Sequence, residues 1–218
     1  MAILAKHLLA LVVLGLATGV AARGEVGTTS SESTHHEQQA MNASTDKATQ
    51  VPPDAARYLR GVTPESRQFD FLIGDWDVAA SRYKPDGSLL LQYRGSWSAR
   101  YLNEGRMVLD DFKAFAPTGE EISSYVTLRT YSETTHRWEM SGLAAFQPAT
   151  IAQWYGEWKD GEMQIEAIGK DPKGNPIRNR IRFFLIEKDR FFWESSITLD
   201  DGKTWVPAAS LTATRAVR

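Results

Sequence analysis

Cysteine is missing altogether from the 218 residues. That excludes a disulfide framework, a thiolate nucleophile, Cys-ligated zinc and iron–sulfur clusters. Histidine is scarce: of four, only His136 stands beyond the first 36 positions. Charge of one sign is also lacking. The formal net charge is −2 and the isoelectric point is near 6.1, which argues against a nucleic-acid-binding surface. Past residue 20 no apolar run is long enough to span a bilayer, so no stable membrane insertion is expected once the leader is removed.

What is present divides into three parts. Residues 1–22 read as a secretory signal: Lys6 near the amino terminus, a nearly unbroken apolar run from His7 to Val20, then small residues at Gly19, Ala21 and Ala22. The chain is therefore expected to be exported, periplasmic or secreted. Residues 23–62 are rich in Gly, Thr, Ser, Glu and Gln and read as a disordered linker, because so little apolar surface cannot offset the entropy of ordering. Residues 63–218 form the folded domain. All seven Trp, and every aromatic except Tyr58, lie between Phe69 and Trp205.

Within that domain the apolar positions recur every second residue, the period of a strand. Leu89, Leu91, Tyr93, Gly95, Trp97, Ala99 and Tyr101 make one long row, and Phe191, Trp193, Ser195, Ile197 and Leu199 make another. Turn residues such as Pro85-Asp86-Gly87, Asp160-Gly161 and Asp201-Gly202 separate the runs. The pattern predicts about ten strands, at 75–83, 88–101, 105–115, 122–131, 137–146, 150–158, 162–169, 177–187, 190–199 and 204–215. With no helical pattern between them the neighbours are antiparallel, and closure into an all-β barrel removes the exposed edges. Thr63 as N-cap, Pro64 and Glu65 predict one short helix before the sheet, running to about Leu72.

Phe69-Asp70-Phe71-Leu72-Ile73-Gly74-Asp75-Trp76, together with Trp193-Glu194-Ser195-Ser196, Asp200-Asp201-Gly202-Lys203-Thr204-Trp205 and Thr214-Arg215, resembles the bacterial family called domain of unknown function 1579. The resemblance covers about 69–215. It implies a lipocalin-like (calycin) barrel, mostly secreted, and carries no settled activity. In barrels of this kind Gly-x-Trp opens the first strand at the closed end and a late Arg stacks on the ring. Gly74, Trp76 and Arg215 are therefore expected to be structural, with Trp76 meeting Arg215 across the closing seam.

Strand parity puts loops 84–87, 116–121, 147–149, 170–176 and 200–203 at the open mouth. The inward residues near it, Tyr93, Trp97, Phe115, Phe146, Trp154, Trp193 and Trp205, are the expected lining of a cavity for a small hydrophobic or aromatic molecule. The same row read differently is simply a filled interior.

Catalytic constellations are sparse. His136 falls in a turn at the closed end with no Gly-x-Ser-x-Gly elbow nearby, which speaks against a triad and against a haem ligand on the cavity wall. No metal set and no cofactor are implied. The alternative to a binding module is acid–base chemistry. Asp110-Asp111 lies mid-strand, and if Met107 and Leu109 face inward, Asp111 does too. An inward Asp111 with Tyr93 or Tyr125 would then supply the acid and base. Against this, a shift of phase would let the pair reach solvent or meet Arg100 or Arg129. Arg129 is otherwise read as one of an outward row with Arg94, Arg180 and Arg182.

Overall fold

The structure, a computed structural model, describes residues 52–146, 152–170, 176–198 and 200–217. The leader at 1–22, the linker as far as residue 51, and the predicted mouth turns at 147–149 and 171–175 lie outside them. The described residues belong to two units, divided after Gly61.

The last part of the segment predicted as linker is an α-helix, α1 (Pro53–Arg60). Pro53 occupies the first helical turn, where its missing N–H costs nothing, and Ala55 and Ala56 are strong helix formers. The helix stops at Gly61, whose φ of 78° suits glycine.

From Val62 onward the chain builds a closed antiparallel barrel of ten strands. They are β1 (Gly74–Tyr83), β2 (Leu89–Leu102), β3 (Met107–Phe115), β4 (Glu121–Ser132), β5 (Arg137–Ala144), β6 (Ala152–Lys159), β7 (Glu162–Lys170), β8 (Pro176–Phe184), β9 (Arg190–Thr198) and β10 (Val206–Arg215). Each strand pairs with its sequence neighbour, and β1 closes on β10 with Trp76 opposite Arg215. The eighth strand is shorter than predicted: Leu185 takes a φ of 47° and turns the chain out of the sheet.

The predicted helix at 63–72 is instead two single 3₁₀ turns, Glu65–Arg67 and Asp70–Leu72. Thr63 does cap the first, with Ser66 N donating to its Oγ1 at 3.4 Å. Phe69 then leaves helical geometry (φ −98°, ψ 13°). The reason is packing. Phe69 and Leu72 are both fully buried and Phe71 packs against the core beside them. Apolar residues at 69, 71, 72 and 73 do not form one helical stripe, so a continuous helix would lift some of them off the barrel end. Two tight turns insert the segment as a plug.

The plug is aromatic throughout. Phe69 meets Trp138 edge to face at 4.7 Å and Phe183 at 5.9 Å, while Phe191 meets Trp76 at 4.7 Å. Trp76 Nε1 donates to Leu72 O at 2.8 Å, and Trp138 Nε1 donates to Gln68 Oε1 at 3.0 Å. Both indoles are thus buried with their one donor satisfied. Arg215 lies 3.8 Å over the Trp76 ring and donates through Nη1 to Ile73 O at 2.6 Å.

Candidate functional site

The inward rows change character along the barrel axis. At the closed end Phe69, Trp76, Trp138, Phe183 and Phe191 are fully buried. Toward the mouth the inward side chains are part-exposed: Leu91, Phe112, Tyr125, Trp154, Ile181 and Trp193. Between those rings the inward positions are small, including Ala80, Gly95, Ala114, Gly142, Ala167, Ser195 and Ala209. Large residues fill one end, and toward the other small buried residues alternate with part-exposed rings.

Four of the residues expected to line a cavity face this interior. Tyr93 is 9% exposed and sits opposite Ala80 of β1. Trp97 is 6% exposed and lies edge-on to Phe112 at 5.6 Å. Trp193 stands between Phe183 and Leu211 on neighbouring strands, and Trp154 stands opposite Met140. Tyr125 joins them, its ring 5.7 Å from Trp154. Two glycines make this packing fit. A side chain at Gly142 would overlap the Tyr125 hydroxyl, and one at Gly95 would run into the Phe112 ring and the Lys113 carbonyl.

Three other expected lining residues lie elsewhere. Phe115 pairs with the exposed Arg94, so it sits on the outer face, beyond a bulge at Ala114/Phe115. Phe146 is fully exposed with a φ of 59°, because β5 ends at Ala144 and the chain has already turned. Trp205 stacks under Arg180 at 3.9 Å. Arg180 is on the outward row of β8, so Trp205 covers the outside of the wall.

The acid–base pairing with Asp111 does not form. On β3 the buried residues are Val108, Asp110 and Ala114, so Met107, Leu109 and Asp111 face outward. The inward carboxylate is Asp110, 1% exposed, and it forms an ion pair with Arg129, 4% exposed. Arg129 is therefore inward as well, correcting its placement on the outer row. Burial lowers the guanidinium pKa, and the adjoining carboxylate opposes that shift. Arg129 also lies 5.0 Å over the Phe69 ring, so the pair seats the plug. Asp110 is the one buried carboxylate among the described residues. Burial raises the Tyr125 pKa well above the usual phenol value, so the hydroxyl stays protonated at neutral pH and no phenolate is present to act as base.

His136 lies in the β4–β5 turn with a φ of 53°. Ser195 Oγ donates to Asn179 Oδ1 at 3.2 Å, with no imidazole beside it. Among the described residues no group of three His, Asp or Glu is placed to hold a metal ion, and no helix is long and apolar enough to cross a membrane. Trp97 Nε1 and the Tyr125 hydroxyl make no hydrogen bond among the described residues. Phe115 and Asp111 share the outward row of β3, opposite in parity to the inward Asp110, Phe112 and Ala114. The sequence carries little signal for an inward Arg129, because its row is otherwise Tyr125, Thr127 and Tyr131, a run with no aliphatic marker.

No family model matches the chain, and no curated protein does. Solved structures do match. One is the crystal structure of Rv2717c from M. tuberculosis, 11% identical over 72% of this chain and 99% of the other, with a TM-score of 0.51. Another is the S-type phycobiliprotein lyase CPES from Guillardia theta, 14% identical over 72% of this chain and 99% of that one, with a TM-score of 0.47. A third is a redesigned β-barrel, mFAP0, bound to DFHBI, 13% identical over 66% of this chain and 99% of that one, with a TM-score of 0.34. At these identities the likeness is one of barrel fold.

Proposed function

We propose that this barrel is an exported binding module that holds one small hydrophobic or aromatic molecule in the mouth half of its interior. The observation that carries the reading is the axial contrast: a fully buried aromatic plug at one end, and part-exposed Leu91, Tyr125, Trp154 and Trp193 between small inward residues at the other. An interior meant only to be filled needs no such gradient. Apolar walls with a few polar groups are the usual composition of a small-molecule site. The Ser195–Asn179 pair supplies such polar groups here. Membership of the domain of unknown function 1579 family, and export by the leader at 1–22, belong to the same proposal and rest on the sequence motifs.

N-phenyl-1-naphthylamine, a neutral fluorescent apolar probe, tests it. The expected result is saturable one-to-one binding with energy transfer from tryptophan. Ala167→Phe, which adds bulk to the inward row of β7, weakens it at least about tenfold, equivalent to 1.4 kcal/mol. Binding that does not saturate, or that ignores Ala167→Phe in a variant with an unchanged melting temperature, sinks the reading.

A further inference from the structure

The mouth half of the interior carries a positive charge that no acidic group among the described residues pairs with. Arg82 is on the inward row of β1 with Trp76, Val78 and Ala80, and it pairs across to Leu91 of β2 and Ala209 of β10. It is part-buried, and its guanidinium carbon lies 5.8 Å from the centre of the Tyr93 ring. No Asp or Glu among the described residues forms an ion pair with it. The other arginines near the walls differ. Arg129 is neutralised by Asp110 at the closed-end side. Arg178 has Glu166 and Asp201, and Arg182 has Glu162 and Glu194, all on the outside. With Asp110 engaged, no other buried carboxylate among the described residues is left to balance Arg82.

An unbalanced cation beside apolar walls selects its guest by charge. It attracts an anion more strongly than it would in open water, since the effective dielectric there is lower. The planar guanidinium, held near the Tyr93 ring, presents a fork of donors that suits the two oxygens of a carboxylate or sulfonate. The register puts Arg82 near the mouth end of β1, above the Ala80–Tyr93 pair, so the anionic group would stay at the rim while the apolar part goes deeper.

We infer that the ligand is a hydrophobic anion, with its ring or chain among Tyr93, Trp154 and Trp193 and its acidic group on Arg82. This rests on the cavity reading above and narrows it to one chemical class.

Two probes separate the inference from the reading beneath it. 8-Anilinonaphthalene-1-sulfonate and N-phenyl-1-naphthylamine share a ring system and differ by a sulfonate. The wild-type barrel is expected to bind the sulfonate about tenfold more tightly at low ionic strength. That advantage shrinks at about 0.5 M salt, where exposed charges are screened. Arg82→Gln abolishes the advantage and leaves the neutral amine within about twofold, which also shows that the variant is folded. Arg82→Lys keeps part of it. The inference is overturned if the neutral probe binds the wild type as tightly as the sulfonate, or if Arg82→Gln keeps the sulfonate's advantage. Should Arg82→Gln fail to fold, a wild-type advantage indifferent to salt overturns it equally. If neither probe binds saturably, the cavity reading itself has failed, an outcome distinct from loss of charge selectivity alone.

Discussion

Gly74 has a φ of 118°, and a side chain there would occupy the space of the Arg215 guanidinium. One residue thus answers two demands, a backbone conformation that favours glycine and room for the arginine that roofs Trp76. Gly74→Ala is expected to destabilise the barrel, and Trp76→Ala to cost about 3–5 kcal/mol, the range for emptying a buried aromatic site. Urea unfolding followed by tryptophan emission reads both, and a Trp76→Ala midpoint at the wild-type value would refute the plug. The Asp110–Arg129 pair makes a sharper prediction. Arg129→Met alone leaves a buried carboxylate uncompensated and should cost about 3–5 kcal/mol. The double variant Arg129→Met/Asp110→Leu removes both charges and should regain most of that loss. Additive losses in the double variant would mean that the two side chains act independently.

At the scale of elements, the β9–β10 turn is held by one carboxylate. Asp200 Oδ1 accepts from Thr204 N at 2.9 Å and from Thr198 Oγ1 at 2.7 Å, and Oδ2 accepts from Thr204 Oγ1 at 2.6 Å. Hydrogen bonds from Thr204 and Thr198 hold its pKa below the usual aspartate value. Glu162, bonded by Arg182, is lowered too. A carboxylate with a depressed folded pKa stabilises the fold above its unfolded pKa, about 3.9 for Asp and 4.3 for Glu, and loses that contribution as pH falls toward the folded value. These groups should therefore leave the unfolding midpoint flat from pH 7 to about 5 and lower it in more acid solution. Asp200→Asn should flatten part of that acid limb, and a limb as steep as wild type would assign it to other groups.

The same scale shows what the sequence makes legible. Period-two rows locate all ten strands within a few residues, because each wall is buried on one side only and alternation is then obligatory. What the rows hide is phase. On β3 the inward set contains an aspartate and the outward set contains Met107, Leu109 and Phe115, so hydrophobicity points to the wrong face. Buried charge reverses the cue, and only the partner on β4, Arg129, restores it. The strap at 63–73 misleads differently. Its N-cap signals are real, but tertiary packing of Phe69, Phe71 and Leu72 overrides local helix propensity. Phe146 and Trp205 look like lining because they are aromatic and near the mouth. A strand ending two residues early releases the first, and an arginine on the outer wall captures the second.

For the whole molecule, closure governs stability. Every strand has two neighbours, so no edge is left to recruit another chain. Ending the chain after Pro207 would delete most of β10 and leave β1 and β9 each with one open edge. Such a truncation is expected to aggregate, read as loss of the monomer peak on size exclusion. A soluble monomer with native near-ultraviolet circular dichroism would show that closure is dispensable.

The β1–β10 seam also has a consequence in time. The strand synthesised first finds its second partner only when the strand synthesised last is available, so the contact of longest sequence separation is the one that completes the fold. The nine other pairings can zip from local hairpins, but this one must bring the two extremes of the domain together against the entropy of everything between them. The nascent barrel is an open, curling sheet until its final residues emerge, and Trp76 meets Arg215 only at the last step. The event that removes the last open edges is also the one that sets the roof on the plug.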